Sequence, residues 1–268
     1  MSGGPTAPPV SERARTIDIN CDLGEGMATD AEVLPFISSA SIACGLHAGG
    51  PDTMVATLAA ARGAGVAVGA HPGLPDRAGF GRRPMPLSPA EIAEVVAYQL
   101  GAFGLLAARL GLRPAHLKLH GALYHQAAQD PAVAAAVTEV AAQVSRDLVV
   151  IGLAGSALEG AARKEGLRFA AELFADRQYQ VDGSLVPRTE RGAVLAGSPA
   201  QIAQRAVAMI EQGGVVGVGG AFVPAVGQTL CLHGDQPDVV EKARALRTAV
   251  EAAGFRVQPL AEWVDRAD

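Results

Sequence analysis

Short apolar runs alternate with longer periodic stretches along this chain. The runs lie at 16–21, 40–44, 66–70, 116–119, 148–152, 168–173, 215–218 and 229–232. Each is short and reads as a buried strand. Between them, apolar residues recur at helical spacing over 52–62, 89–110, 131–145, 156–165, 199–212 and 237–253. Ser88-Pro89, Asp130-Pro131 and Ser198-Pro199 supply helix starts, and Gly111 and Gly254 supply stops. Strand–helix alternation of this kind builds a parallel sheet with helices outside it. Seven or eight strands in roughly 250 residues predict an α/β, closed or nearly closed TIM-like (β/α) barrel as one domain over 16–268. An open doubly wound sheet ranks second, because no GxGxxG follows the first strand. Residues 1–15, rich in Pro, Gly and Ser, predict a disordered tail and not a signal peptide.

The same alternation exposes the chemistry. Strand side chains point to opposite faces in turn. In the first run Ile17, Ile19 and Cys21 share one face, and Asp18, Asn20 and Asp22 share the other. In the fourth, Leu117 and Leu119 oppose His116, Lys118 and His120. If the polar face is the barrel interior, the Lys118 ammonium needs an anionic partner there, from the protein or from a ligand. Asp22 is a candidate general base or lysine partner, and Asp18 suits a buried hydrogen-bond network.

Four of the six histidines stand where an apolar run ends in a turn: His47, His71, His120 and His233. In parallel α/β folds the carboxyl ends of the strands collect the functional groups. The four therefore form one expected site, with Lys118 and Asp22 as neighbours. At and just beyond the end of the sixth run, Glu172, Asp176 and Arg177 add two acids and a cation, and Arg188 follows in a loop. His47, His71 and Asp22 would make a two-histidine, one-carboxylate metal set, but no HxH or HExxH supplies adjacent ligands. Histidine sharing a face with lysine favours anion binding and proton transfer over metal. Two loops, 78–86 and 182–197, are expected to cover the site. The glycine-rich 213–220 is a weak candidate phosphate cradle, and no GxxxxGK[ST] is present.

Composition narrows the class. A net charge of −5 and a pI near 5.7, with no basic cluster, argue against nucleic-acid binding. The uncharged stretch 213–228 is too short and glycine-rich to span a bilayer. Three unpatterned cysteines suit a reduced, cytoplasmic protein. Cys44 reads as a buried structural thiol.

Five ordered segments go further: Asp18-Ile19-Asn20-Cys21-Asp22-Leu23-Gly24-Glu25, Ile42-Ala43-Cys44-Gly45-Leu46-His47-Ala48-Gly49, Gly69-Ala70-His71-Pro72, Lys118-Leu119-His120-Gly121-Ala122-Leu123-Tyr124 and Glu172-Leu173-Phe174-Ala175-Asp176-Arg177. Together they closely resemble the LamB/YcsF family, the A component of prokaryotic 5-oxoprolinase, over about residues 16–260. One position departs from the family pattern: Gly50 stands where an acid usually follows His-Ala-Gly, and Asp52 is the nearest replacement. The resemblance implies a slightly irregular barrel of about seven strands of the glycoside hydrolase/deacetylase type. It implies ATP-dependent opening of 5-oxo-L-proline to L-glutamate with Mg²⁺-bound ATP, alongside subunits B and C. Under it, Asp22, His47, His71, Lys118, His120 and Glu172 are the expected catalytic groups. Asn20, Asp176, Arg177 and Arg188 are the expected substrate contacts. Two other classes stay open: a metal-dependent carbohydrate deacetylase or hydrolase, and a non-catalytic substrate-binding subunit.

Overall fold

A computed structural model of the chain describes residues 15–265 except 189 and 237. The expected disordered tail, save Arg15, and the last three residues of the expected domain lie outside the described residues. The elements run β1 (Thr16–Leu23), α1 (Asp30–Val33), β2 (Ser39–Ala43), α2 (Pro51–Ala64), β3 (Ala67–His71), α3 (Pro89–Arg109), β4 (His116–Lys118), α4 (Gly121–Gln129), α5 (Pro131–Val144), β5 (Val149–Gly152), α6 (Ala157–Lys164) and β6 (Arg168–Phe174). Then come α7 (Pro199–Gln212), β7 (Gly214–Val216), β8 (Phe222–Pro224), β9 (Thr229–His233), α8 (Val239–Ala252) and β10 (Arg256–Val257).

Strands β1 to β6 and β9 are parallel and close into a seven-stranded barrel. Strand β9 closes it, pairing with β6 at Glu172↔Thr229 and with β1 at Asp18↔Thr229. Short β10 extends the start of β1. The expected seventh run does not join the barrel. It forms β7, which folds back antiparallel on β8 as a separate hairpin. Gly217, Gly219 and Gly220 turn the chain there, two of them at positive φ, and hydrophobicity alone does not separate a barrel strand from a hairpin strand. Helix α4 was not expected, because Gly121 reads as a turn and the helix behind it is short.

Alternation sorts the core into two environments. Outward residues such as Ile19, Ile42, Val68, Leu117 and Leu173 pack with Leu58, Ile92, Phe103, Val137, Leu158 and Leu246 of the helices. Helix α3, opened by a Ser88–Glu91 capping box, is long and apolar enough to cross a membrane. Its Ile92, Val96, Leu100 and Phe103 are buried in that shell instead. The inward face is different. Asp18, Asn20, Ser39, Ser41, His116, Lys118, Glu172 and Thr229 are all buried and polar. A small apolar cluster of Val149, Ile151 and Ala170 meets Leu260 and Val264 of the C-terminal segment. The barrel therefore has a largely polar core, and its charges have to be matched internally.

Candidate active site at the carboxyl ends of the strands

The deepest layer is a hydrogen-bonded frame. Asp18 accepts from Ser38 Oγ at 2.6 Å, Ser39 Oγ at 2.7 Å and Thr229 Oγ1 at 2.6 Å. Burial pushes its carboxyl up to about 6 against those hydrogen bonds. The network expected for Asp18 is present. Asn20, expected to touch substrate, lies below the cleft with its amide fully used. Its Nδ2 donates to Glu172 at 2.9 Å and Thr229 at 2.7 Å, and its Oδ1 accepts from Lys118 at 2.9 Å.

Above this frame sits Lys118, the last residue of β4. Its Nζ lies 2.8 Å from Asp22, 2.7 Å from Glu172 and 2.9 Å from Cys231 Sγ. The anionic partner left open by the sequence is thus supplied by the protein twice over. Burial works against the ammonium, but Asp22, Cys231 and Glu172 outweigh it and hold the lysine charged. Burial likewise opposes ionisation of Asp22, yet His71 and Lys118 keep it well below the ordinary carboxylate range. Lys118 therefore serves first as the counter-ion of two acids, and all three of its protons have protein acceptors.

The histidines gather beside this array. His71 ends β3, His47 comes from the loop after β2, and His120 is the N-cap of α4. Two glycines at positive φ, Gly24 and Gly26, flank Glu25 in the turn after β1 and bring its carboxylate to them. Glu25 Oε1 is 3.2 Å from both His47 Nε2 and His120 Nδ1, and 3.9 Å from His71 Nε2. His71 Nε2 is 3.0 Å from His120 Nδ1 and 3.6 Å from Asp22. The rings of His47 and His120 stack at 3.8 Å. Burial lowers His71 to about 3 and lowers His47, whereas the nearness of His120 and His47 outweighs burial and holds Glu25 near 2.

The segment after β3 closes over these rings. Asp76 caps a 3-10 turn at Gly79 and pairs with Arg83. Arg77 ties the segment to Gly45 O and Gly49 O, both at 2.6 Å. Phe80 adopts a left-handed φ of 55°, unusual for a bulky residue. Its carbonyl accepts from His120 Nε2 at 2.8 Å.

A cleft of about 670 Å³ opens over this floor, within the usual size of a small-molecule site. Asp22, Glu25, His71, Lys118 and His120 line its floor. Tyr124, Phe174 and Leu185 give apolar walls, and Arg82, Arg177 and Arg188 give cations. Both loops expected to cover the site contribute, through Arg82 and Pro84 on one side and Leu185, Pro187, Arg188 and Val194 on the other. Arg177 holds that second loop, donating to Ala193 O and Val186 O. Asp176 is buried away from the cleft lining, accepting from His233 Nδ1 at 3.1 Å and Gln236 at 2.6 Å. It positions His233, which lines the cleft and stacks on Phe174. The glycine-rich 213–220 lies on the hairpin, not among the cleft residues. Asp52 is exposed in the first turn of α2 and replaces no acid at the site.

The residue that sequence reasoning left without a role is Glu25. Its signal was the Gly-Glu-Gly sequence just past a strand of alternating acids. Among the described residues, Glu25, His47, His71 and His120 each offer one ligand atom within 4.8 Å of the others. The set weighed from sequence has Asp22 as its carboxylate; the carboxylate that stands among His47, His71 and His120 is that of Glu25, while Asp22 lies near Cys231 and His233.

The sequence matches the LamB/YcsF family over residues 17–265. It is 50% identical over 247 residues to the A component of 5-oxoprolinase from Bordetella pertussis, covering 90% of this chain and 98% of that one. Among solved structures, the "Lactam Utilization Protein" of Thermus thermophilus superposes with a TM-score of 0.84 at 40% identity, covering 91% of this chain and 99% of that one. The catalytic domain of a peptidoglycan N-acetylglucosamine deacetylase from Eubacterium rectale superposes at a TM-score of 0.52 and 12% identity, over 94% of this chain and 91% of that one. That last likeness shows the barrel fold alone.

Proposed function

The chain belongs to the LamB/YcsF family, and from that premise we propose that it works as the A component of an ATP-dependent 5-oxoprolinase. In this reading it opens 5-oxo-L-proline to L-glutamate together with subunits B and C, in the cytoplasm. The observation that carries the reading is the convergence of the carboxylates of Asp22 and Glu25 on the imidazole of His71, at 3.6 and 3.9 Å, on the floor of one cleft.

A lactam is a poor electrophile, and ATP, when bound, would phosphorylate its oxygen and so open the carbon to attack by water; the ring C–N bond then breaks, the nitrogen leaves as the amine, and hydrolysis of the resulting acyl phosphate releases phosphate. The mouth of the cleft fits an anion: Arg82 and Arg188 share the single carboxylate of Asp235, which leaves one positive charge in excess. Those two guanidinium groups would hold the phosphates. At the floor, Asp22 and His71 are within 3.6 Å of each other, so a water held between them has an acceptor for its proton. Lys118 keeps Asp22 ionised for that role. His233, fixed by Asp176 and stacked on Phe174, is placed to steer the lactam ring.

The test is glutamate formation from 5-oxoproline by the chain with both partner subunits, with and without ATP, and by the chain alone. Product that requires ATP and all three subunits is the expected result. Failure of the complete mixture sinks the proposal. One observation, the gathering of three histidines on Glu25, favours a second reading: ATP-independent hydrolysis of an amide at a metal centre. Turnover by the chain alone without ATP would select it.

A further inference from the structure

A neutral imidazole has one N–H donor and one lone pair, and which nitrogen holds which is fixed by its partners. His71 Nδ1 lies 2.8 Å from the main-chain oxygen of Lys118. His120 Nε2 lies 2.8 Å from that of Phe80. A carbonyl oxygen only accepts, so both of these nitrogens carry the proton. The lone pairs are then on His71 Nε2 and His120 Nδ1, which face each other at 3.0 Å. Glu25 Oε1, a carboxylate oxygen, points to the same place. His47 Nε2 completes the group, 3.2 Å from Glu25. The other nitrogen of His47 is buried without a hydrogen-bond partner, so no protein acceptor holds its proton there.

Lone pairs and a negative charge converging on one point repel unless a positive charge lies among them. A proton on one ring joins a single pair of these atoms, whereas a metal ion joins all four. We infer that Glu25, His47, His71 and His120 form a binding site for one divalent transition-metal ion of the zinc class. Four ligands at about 2.0–2.1 Å from a tetrahedral ion stand roughly 3.3 Å apart. Four of the six separations here are 3.0, 3.2, 3.2 and 3.9 Å, and all six lie within 4.8 Å, a cage close to that size. The outer nitrogens of His71 and His120 are held by carbonyls, the support that metal-bound imidazoles use to fix their orientation. Three imidazoles and one carboxylate suit Zn²⁺, Co²⁺ or Ni²⁺ better than Mg²⁺ or Ca²⁺, which prefer oxygen ligands. Three of the four residues line the cleft, so the ion is reachable from the substrate side. With the ion bound, His71 and Glu25 are ligands and Asp22 remains the proton acceptor of the reaction proposed above; metal binding itself is tested without that reaction.

The full chain, stripped with a chelator and dialysed, is titrated with ZnCl₂ and separately with CoCl₂. The expected results are one equivalent of metal per chain by elemental analysis and visible cobalt bands of a low-coordinate nitrogen-rich site. Glu25→Gln and His71→Gln each weaken binding at least ten-fold. Zn²⁺ raises the thermal midpoint of the wild-type chain, and MgCl₂ at the same concentration does not. A natively folded chain that takes up neither metal overturns the inference, as does Glu25→Gln binding as tightly as wild type. If His71→Gln fails to fold, the near-isosteric Glu25→Gln and the wild-type thermal shift carry the decision.

Discussion

Lys118 Nζ sits 2.7 Å from Glu172, at a strand end inside the barrel where neither side chain meets solvent. With Asp22 on its other side, the lysine neutralises two acids that are otherwise buried together. Removing one partner of such a group costs about 3–5 kcal/mol, because it strands the remaining charges. Lys118→Met is therefore expected to lower stability by about that much in urea unfolding, in addition to its effect on turnover. Adding Glu172→Gln to that variant is expected to restore part of the loss, by at least about 1 kcal/mol of coupling. Additive single effects would show that the pair is not what holds this layer.

His116 gives a pH dependence with a defined sign. Burial, then Lys118, lowers its pKa to about 3 from the 6.5 of the free side chain. Between those values the unfolded chain binds the proton and the folded chain does not. Stability is then complete above pH 6.5 and falls as pH drops toward 3, by up to roughly 4 kcal/mol from this group. Asp18 opposes it: its pKa is raised to about 6, so its contribution is full below 3.8 and fades as pH rises through 6. Denaturant melts at pH 7.5 and 5 should show His116→Gln losing less on acidification than wild type. Equal losses would assign the acid sensitivity elsewhere.

Gly81 combines a left-handed φ of 65° with a wall position. A Cβ there would stand 2.8 Å from His47 Cβ and 2.9 Å from His120 Cδ2. Gly81→Ala is expected to cost roughly 1–3 kcal/mol from backbone strain and overpacking. Gly101→Ala, in the middle of α3 with open space around the added carbon, is expected to gain about 0.5–1 kcal/mol. Thermal melts of the two variants should move in opposite directions. The same direction for both would remove the steric argument.

Arg188 belongs to the nucleotide half of the proposed function. It is a quarter exposed and 3.7 Å from Asp235, so its loss leaves no buried charge stranded. Arg188→Gln is expected to raise KM for ATP by about ten-fold, the scale of one charge-assisted hydrogen bond, with little change in thermal midpoint. An unchanged KM would move the phosphates to another part of the mouth or to a partner subunit.

The barrel was legible because alternation in β1 and β4 put Asp18, Asn20, Asp22, His116 and Lys118 on one face, and the structure turns that face inward. The histidines were legible because they end strands, and the ends of parallel strands share one mouth. Glu25 escaped because it lies past its strand, in a turn whose direction depends on two glycine conformations. The partners of Lys118 escaped because Glu172 is 54 positions away, and only barrel closure sets it opposite. Helix α4 and the β7–β8 hairpin were missed where short local patterns admit more than one conformation.

Barrel closure also says when this site can exist. The hydroxyl of Thr229 reaches Asp18 across 211 positions of sequence, and β9 alone joins β6 to β1. A chain emerging from the ribosome holds β1 to β6 long before β9 is made. In that interval it is an open parallel sheet with two bare edges and a row of unmatched charges. Such distant pairing makes folding slow. Truncation before β9 would remove the mouth of the barrel altogether, and nascent chains caught short of it are where chaperone dependence and aggregation should concentrate.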